Sequence, residues 1–185
     1  MKKIAVLLVL VIVIVVGMAG CKRSETPVAQ KPAAKPTPAQ TATGIEPGKI
    51  MPAYAAVNLD GSKFELAARR KKVVLLNLWA TWCGPCRYEI PELQRIHNTY
   101  AARGFEVVGV SLDEGAVDSV KEFVGENKMT YPVVHDPDGE IANVLQASVL
   151  PTSVMLDRDG RIIWKKVGAI LENDEELKTA IEKAL

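Results

Sequence analysis

The chain is short of the side chains that build metal centres: its 185 residues hold three cysteines and two histidines. Structural zinc sites take four ligands. Cys83 and Cys86 stand two residues apart, but no second cysteine pair exists to complete such a set. His97 falls at a core-facing spacing on a helical stretch, and His135 follows Tyr131-Pro132-Val133-Val134, where it reads as a loop residue at a strand end. No metal and no other cofactor is therefore expected. Excess charge is missing too, with 23 basic against 22 acidic side chains. A near-neutral chain offers no electrostatic footing for nucleic acid. The cluster Arg69-Arg70-Lys71-Lys72 reads as a solvated loop ahead of an apolar strand, and no internal repeat is present.

The two ends of the chain differ in kind. Lys2 and Lys3 precede an unbroken apolar run from Ile4 to Val16, the pattern of a targeting segment that is set aside in fold reasoning. Met18-Ala19-Gly20-Cys21 resembles a bacterial lipobox, which implies a signal peptide over 1–20, lipidation at Cys21 and a membrane tether through that residue. An uncleaved anchor is the competing reading, since the stretch from Ile4 to Gly20 offers about 17 apolar or small residues, a marginal span. Both readings place the remainder outside the cytoplasm. Residues 21–47 are rich in Pro, Ala, Thr, Lys and Gln with no apolar period, so they cannot bury enough surface to offset ordering entropy. As a flexible coil, this linker spans on the order of 30 Å. Residues 48–185 then fit one domain.

Within that domain the densest chemistry is Trp82-Cys83-Gly84-Pro85-Cys86. It follows Val73-Val74-Leu75-Leu76-Asn77-Leu78-Trp79, an apolar run suited to a strand buried on both faces. Pro85 suits a first helical turn, where its missing N–H costs nothing. Cys83 is thus predicted at a helix N-terminus, where free N–H groups favour a thiolate. A pKa drop from about 8.5 to about 7 would raise the thiolate fraction at pH 7 from roughly 3% to roughly half. Along the helix, Cys86, Ile90, Leu93, His97 and Tyr100 share one face, so Cys86 points inward and Cys83 is the more exposed. That difference assigns attack on a substrate disulfide to Cys83 and resolution of the mixed disulfide to Cys86. Pro91 is expected to kink the helix.

Trp79-Ala80-Thr81-Trp82-Cys83-Gly84-Pro85-Cys86-Arg87, with Glu89, Pro91 and Leu93, resembles the thioredoxin superfamily, and within it the extracytoplasmic TlpA/ResA-like thiol-disulfide oxidoreductases. Leu150-Pro151-Thr152 matches that family's cis-proline loop, while Asn77 stands where thioredoxin carries a buried aspartate. The resemblance implies that Glu89 tunes the cysteine pKa values or moves protons. It also implies that Trp82, Gly84, Pro85, Leu150 and Pro151 meet the substrate chain. It further implies disulfide-bearing proteins as substrates and a membrane thiol reductant of the CcdA/DsbD kind as electron donor. Thioredoxin shares the Gly-Pro dipeptide and lies near −270 mV against −120 mV for the oxidant DsbA, a gap of roughly 7 kcal/mol for two electrons. A protein working chiefly as a reductase is expected from that comparison. Cytochrome c maturation is one role within the family, although Gln146-Ala147-Ser148-Val149-Leu150 lacks the acidic loop of CcmG-type proteins.

The remaining pattern gives an α/β fold, a thioredoxin-like three-layer α/β/α sandwich with an added N-terminal β-hairpin and a central β-α insertion. Tyr54–Leu59 and Ser62–Leu66 form the hairpin around Asp60-Gly61, and Thr152–Leu156 with Arg161–Val167 form a second around Asp159-Gly160. A strand is expected over Phe105–Val110, a helix through Val117, Val120 and Val124, and a short strand over Tyr131–Val134. Asp136 is predicted to cap a helix with Pro137 in its first turn, and Asn173 with Glu176 to form a capping box. Two other classes share the fold. A peroxiredoxin-like peroxidase needs Pro and Thr where Leu76 and Ala80 stand, and a copper-binding chaperone would recruit Cys83, Cys86 and His135.

Overall fold

The computed structural model describes residues 44–185. The signal segment, Cys21 and most of the linker lie outside the described residues. Seven strands and four α-helices follow in chain order: β1 (Ala55–Asn58), β2 (Lys63–Glu65), β3 (Val73–Trp79), α1 (Gly84–Tyr100), β4 (Phe105–Ser111), α2 (Val117–Glu126), β5 (Val133–His135), α3 (Glu140–Leu145), β6 (Thr152–Leu156), β7 (Ile162–Val167) and α4 (Glu175–Ala184). The strands make one mixed sheet in the order β2-β1-β5-β4-β3-β6-β7. β3 runs parallel to β4 and antiparallel to β6, so the apolar run 73–79 lies in the middle of the sheet with every residue buried. The N-terminal hairpin extends the same sheet, β1 pairing antiparallel with the free edge of β5.

Period-two alternation along β3 divides the core. Val73, Leu75 and Trp79 pack on the face covered by α1, α2 and α4, whereas Val74, Leu76 and Leu78 meet Ile141 and Leu145 of α3 together with Met51, Tyr54 and Phe64. Leu75, Leu76 and Leu78 are wholly buried, and truncating any one of them to alanine costs about 2–5 kcal/mol. Gly109 of β4 serves this packing: a Cβ there would lie 2.9 Å from Trp79 Nε1 and 3.2 Å from Tyr131 Cε2. α1 stays continuous from Gly84 to Tyr100 with Pro91 inside it.

Several local expectations change once tertiary partners are present. The short strand begins at Val133 rather than Tyr131 and includes His135, which pairs in register with Val57 and Ser111 and is not a loop residue. Pro137 lies outside α3, whose N-cap is Gly139. Asp136 still serves that helix from a distance, its carboxylate accepting from Glu140 N at 3.0 Å and Ile141 N at 2.8 Å. The last helix is capped by Asp174, which accepts from Leu177 N at 3.0 Å. Asn173 takes a left-handed conformation, and Glu176 turns to Trp164 Nε1 at 3.2 Å, so the expected capping box does not form. The basic cluster is only partly solvated: Lys72 Nζ lies 2.9 Å and Arg69 Nη1 3.4 Å from the carboxylate of the buried Glu106.

Candidate active site

β3 ends at Trp79, and the chain turns through Ala80–Cys83 with Cys83 N donating to Ala80 O at 3.1 Å. Cys83 is the N-cap of α1, its sulfur accepting from Cys86 N at 3.3 Å, and Pro85 occupies the first turn as its fixed φ favours. Cys83 and Cys86 are joined as a disulfide with their Cα atoms 5.3 Å apart. Cys83 keeps 5% of its surface exposed and Cys86 none. Around them Trp82, Gly84 and Pro85 are exposed, Trp82 strongly so. An electrophilic sulfur that solvent reaches through Cys83, at a helix end that favours an anion, suits thiol-disulfide exchange.

Behind the dithiol, one turn along α1 from Cys86, Glu89 is 1% exposed. Its Oε1 accepts from Asn77 Nδ2 at 2.7 Å and its Oε2 from Ile170 N at 2.7 Å. Asn77 also donates to Ser153 Oγ at 3.0 Å, a contact set by the direct pairing of the two residues between β3 and β6. Burial pushes the Glu89 carboxyl up to about 7, against the opposing pull of its two hydrogen bonds and the charge of Lys166. Tyr131, buried on the same side of the sheet, has its phenol pushed up by burial and then by the Glu89 charge. A carboxyl that gains and loses its proton near neutrality can exchange protons with thiols.

The Leu150–Pro151 peptide is cis. Leu150 packs against the core cluster that contains both cysteines, and Pro151 O accepts from Gly168 N at 2.9 Å. Beside this loop Val149 is exposed, as are Tyr88 of α1 and Leu171 just past Ile170. Of the residues singled out from sequence, Cys83, Cys86 and Glu89 follow one another along α1, with Trp82, Gly84 and Pro85 at its start. His135 stands apart, its Nε2 2.8 Å from Asp113 O. Among the described residues no three His, Cys, Asp or Glu side chains gather as a metal site, so Cys83, Cys86 and His135 do not form a ligand set. His97 is half-buried, and its Nδ1 accepts from Val107 N at 3.3 Å. Burial, aided by Lys72 and opposed by Glu106, lowers its pKa. Sequence reasoning missed Ser153, the Ile170 amide and Lys166. Their only signal was proximity to Pro151 or to the second hairpin, which says nothing of what they face.

Comparison with known proteins agrees with this geometry. The family model described as Redoxin matches residues 40–181. The thiol-disulfide oxidoreductase ResA of Bacillus thuringiensis subsp. konkukian is 34% identical over 139 residues, covering 75% of this chain and 79% of that protein. A Chlorobium tepidum chain assigned as the thiol:disulfide interchange protein DsbE superposes with a TM-score of 0.71 at 32% identity, covering 76% of this chain and 99% of that one. StoA from Bacillus subtilis superposes with a TM-score of 0.59 at 27% identity, covering 70% of this chain and 96% of that one.

Proposed function

The chain belongs to the Redoxin family, among its ResA-like thiol-disulfide oxidoreductases, and from that premise we propose that it is an extracytoplasmic, membrane-tethered reductase of protein disulfides. The Cys83 thiolate attacks one sulfur of a substrate disulfide. That S–S bond breaks, a mixed disulfide forms through Cys83, and the departing substrate sulfur takes a proton. Cys86 then loses its proton and attacks Cys83 Sγ, which releases the second substrate thiol and leaves the Cys83–Cys86 disulfide. Two electrons pass to the substrate, so each cycle needs re-reduction by a membrane dithiol of the CcdA/DsbD kind.

Glu89 takes the proton from Cys86 and returns it on re-reduction. Trp82, Gly84, Pro85 and the Leu150–Pro151 loop form the surface against which the substrate chain lies. The observation that carries this reading is the bridged Cys83–Cys86 pair at the start of α1 with Glu89 buried behind it among neutral donors. The tether is Cys21, through lipid on its mature N-terminus. Extracytoplasmic disulfides generally are the substrate class, with the haem-attachment cysteines of apocytochrome c as one member.

Trapping tests the dithiol roles. Cys86→Ser should accumulate mixed disulfides through Cys83 when mixed with reducible insulin, and Cys83→Ser should accumulate none. Faster iodoacetamide labelling of Cys86 than of Cys83 in the reduced protein at pH 7 would overturn the assignment. Turnover of peroxide in place of insulin would instead favour the peroxidase class. For the tether, Cys21→Ala should abolish incorporation of a clickable fatty acid. A wild-type protein without lipid would replace the lipoprotein with an uncleaved anchor.

A further inference from the structure

A second carboxylate, outside the Glu89 network, holds the turn that delivers Cys83. Asp113 lies two residues past the end of β4 and is 5% exposed. Its Oδ1 and Oδ2 accept from Thr81 N at 3.1 and 3.0 Å, Oδ1 accepts from Thr81 Oγ1 at 2.6 Å, and Oδ2 from Ser111 Oγ at 2.8 Å. Its own backbone is pinned as well, by Ser111 Oγ at Asp113 N (3.3 Å) and by His135 Nε2 at Asp113 O (2.8 Å). The carboxylate's own partners, Thr81 and Ser111, are neutral donors, so it is satisfied by geometry rather than by a counter-charge.

Topology explains the placement. β3 and β4 run parallel with Trp79 opposite Ser111, and Leu112 N still donates to Trp79 O at 2.9 Å. Beyond that point the two chains leave the ladder, Thr81 on one side and Asp113 on the other, and the carboxylate ties them together. Thr81 is two residues before Cys83, and the only other backbone bond closing the turn is Cys83 N to Ala80 O. Without the clamp the turn carries Trp82, which is 71% exposed, with little to order it.

We propose that Asp113 is a positioning residue for disulfide exchange: through Thr81 it sets where the Cys83 sulfur sits and the direction from which it meets a substrate disulfide. This rests on Cys83 being the attacking thiol. Reactive geometry is sensitive to displacements on the order of 1 Å, so a loosened turn slows attack more than it weakens docking, which Gly84, Pro85 and the Leu150–Pro151 loop still support when Trp82 is less ordered.

The test compares matched variants of the full-length protein in insulin reduction, each with its near-ultraviolet circular dichroism recorded. Asp113→Ala should lower kcat about tenfold while KM moves less than about twofold. Asp113→Asn keeps Oδ1 as acceptor for Thr81 N and Oγ1, but its amide replaces the oxygen that accepts from Thr81 N and Ser111 Oγ, so it should regain only part of that loss. Thr81→Val should lose about threefold and Thr81→Ser should match wild type. The losses should persist at pH 9.5, where the thiol is largely ionised in every variant and thiolate fraction no longer limits. A natively folded Asp113→Ala with wild-type kcat overturns the proposal, as does an Asn variant no better than Ala together with a Thr81→Val that matches wild type, which would make charge rather than position the cause. Should Asp113→Ala not fold, equal rates for Thr81→Val and Thr81→Ser overturn it. Faster alkylation of Cys86 in wild type would instead strike the role of Cys83, a failure separate from all of these.

Discussion

Glu89 and Glu106 are two buried glutamates on one scaffold, 1% and 6% exposed, and they have been made into different things. Glu106, near the start of β4, is clasped by Lys72 and Arg69. Glu89, in α1 near the dithiol, is held by an amide side chain and a backbone N–H. Burial disfavours the charged form in both places. Two adjacent cations offset that cost at Glu106. Neutral donors offset it only in part at Glu89, whose carboxyl consequently sits at about 7. Degree of burial does not separate the two carboxylates here. The nature of their partners does.

The sharpest way to break that contrast is through activity. Cys83→Ser should reduce insulin at least about a thousandfold more slowly, the scale of losing a nucleophile. Glu106→Gln should leave turnover within about twofold, since Glu106 touches no part of the dithiol network. A large activity loss in the Glu106 variant, with the fold intact by circular dichroism, would erase the distinction between the two regions.

The second test uses stability against pH. A carboxyl raised from 4.5 to about 7 on folding binds more protons folded than unfolded between those values. Its contribution is therefore full below about pH 4.5 and is lost as pH rises through about 7, an amount on the order of 3 kcal/mol. Urea denaturation of the oxidised protein at pH 5 and pH 8 should show this fall in wild type relative to Glu89→Gln, which cannot titrate. Parallel curves for the two proteins would mean that Glu89 is not held as described. In the reduced protein the same substitution should lower the apparent thiol pKa values, because a neighbouring carboxylate opposes a thiolate.

The smallest effect belongs to Glu106. Glu106→Gln should cost about 1–2 kcal/mol, less than breaking a fully buried pair, because Lys72 and Arg69 are partly exposed and can rehydrate. A cost above about 3 kcal/mol in the same urea denaturation would show instead that the ion pair behaves as a fully buried one.

The contrast also shows where sequence reading reached and where it stopped. The run Val73–Trp79 announced β3 to the residue, since an unbroken apolar stretch has few other uses in a domain of this size. Pro85 after Cys83 marked the start of α1 within a residue, and Asp60-Gly61 and Asp159-Gly160 marked both hairpins. Asp136 and Asn173 were misjudged as local caps because acceptors near a helix start are interchangeable in sequence. Geometry chose Gly139 and Asp174 as the N-caps and left Asp136 reaching across four residues. Arg69 and Lys72 looked solvated because nothing near them in sequence announces a buried acid, and Glu106 lies 37 and 34 residues away.

What the sequence determined by itself is whatever short-range chemistry specifies: apolar period, the place of proline and glycine, and two cysteines one helical turn apart. These fix strands, turns and the dithiol's seat because each depends only on neighbours along the chain. The tertiary structure decided what surrounds that seat. Asn77 meets Ser153 across 76 residues, Glu89 meets Ile170 across 81, and Asp113 reaches Thr81 across 32. Each contact exists because strand register and helix packing bring particular atoms to within about 3 Å, and a one-residue slip in a strand turns its side chains to the opposite face.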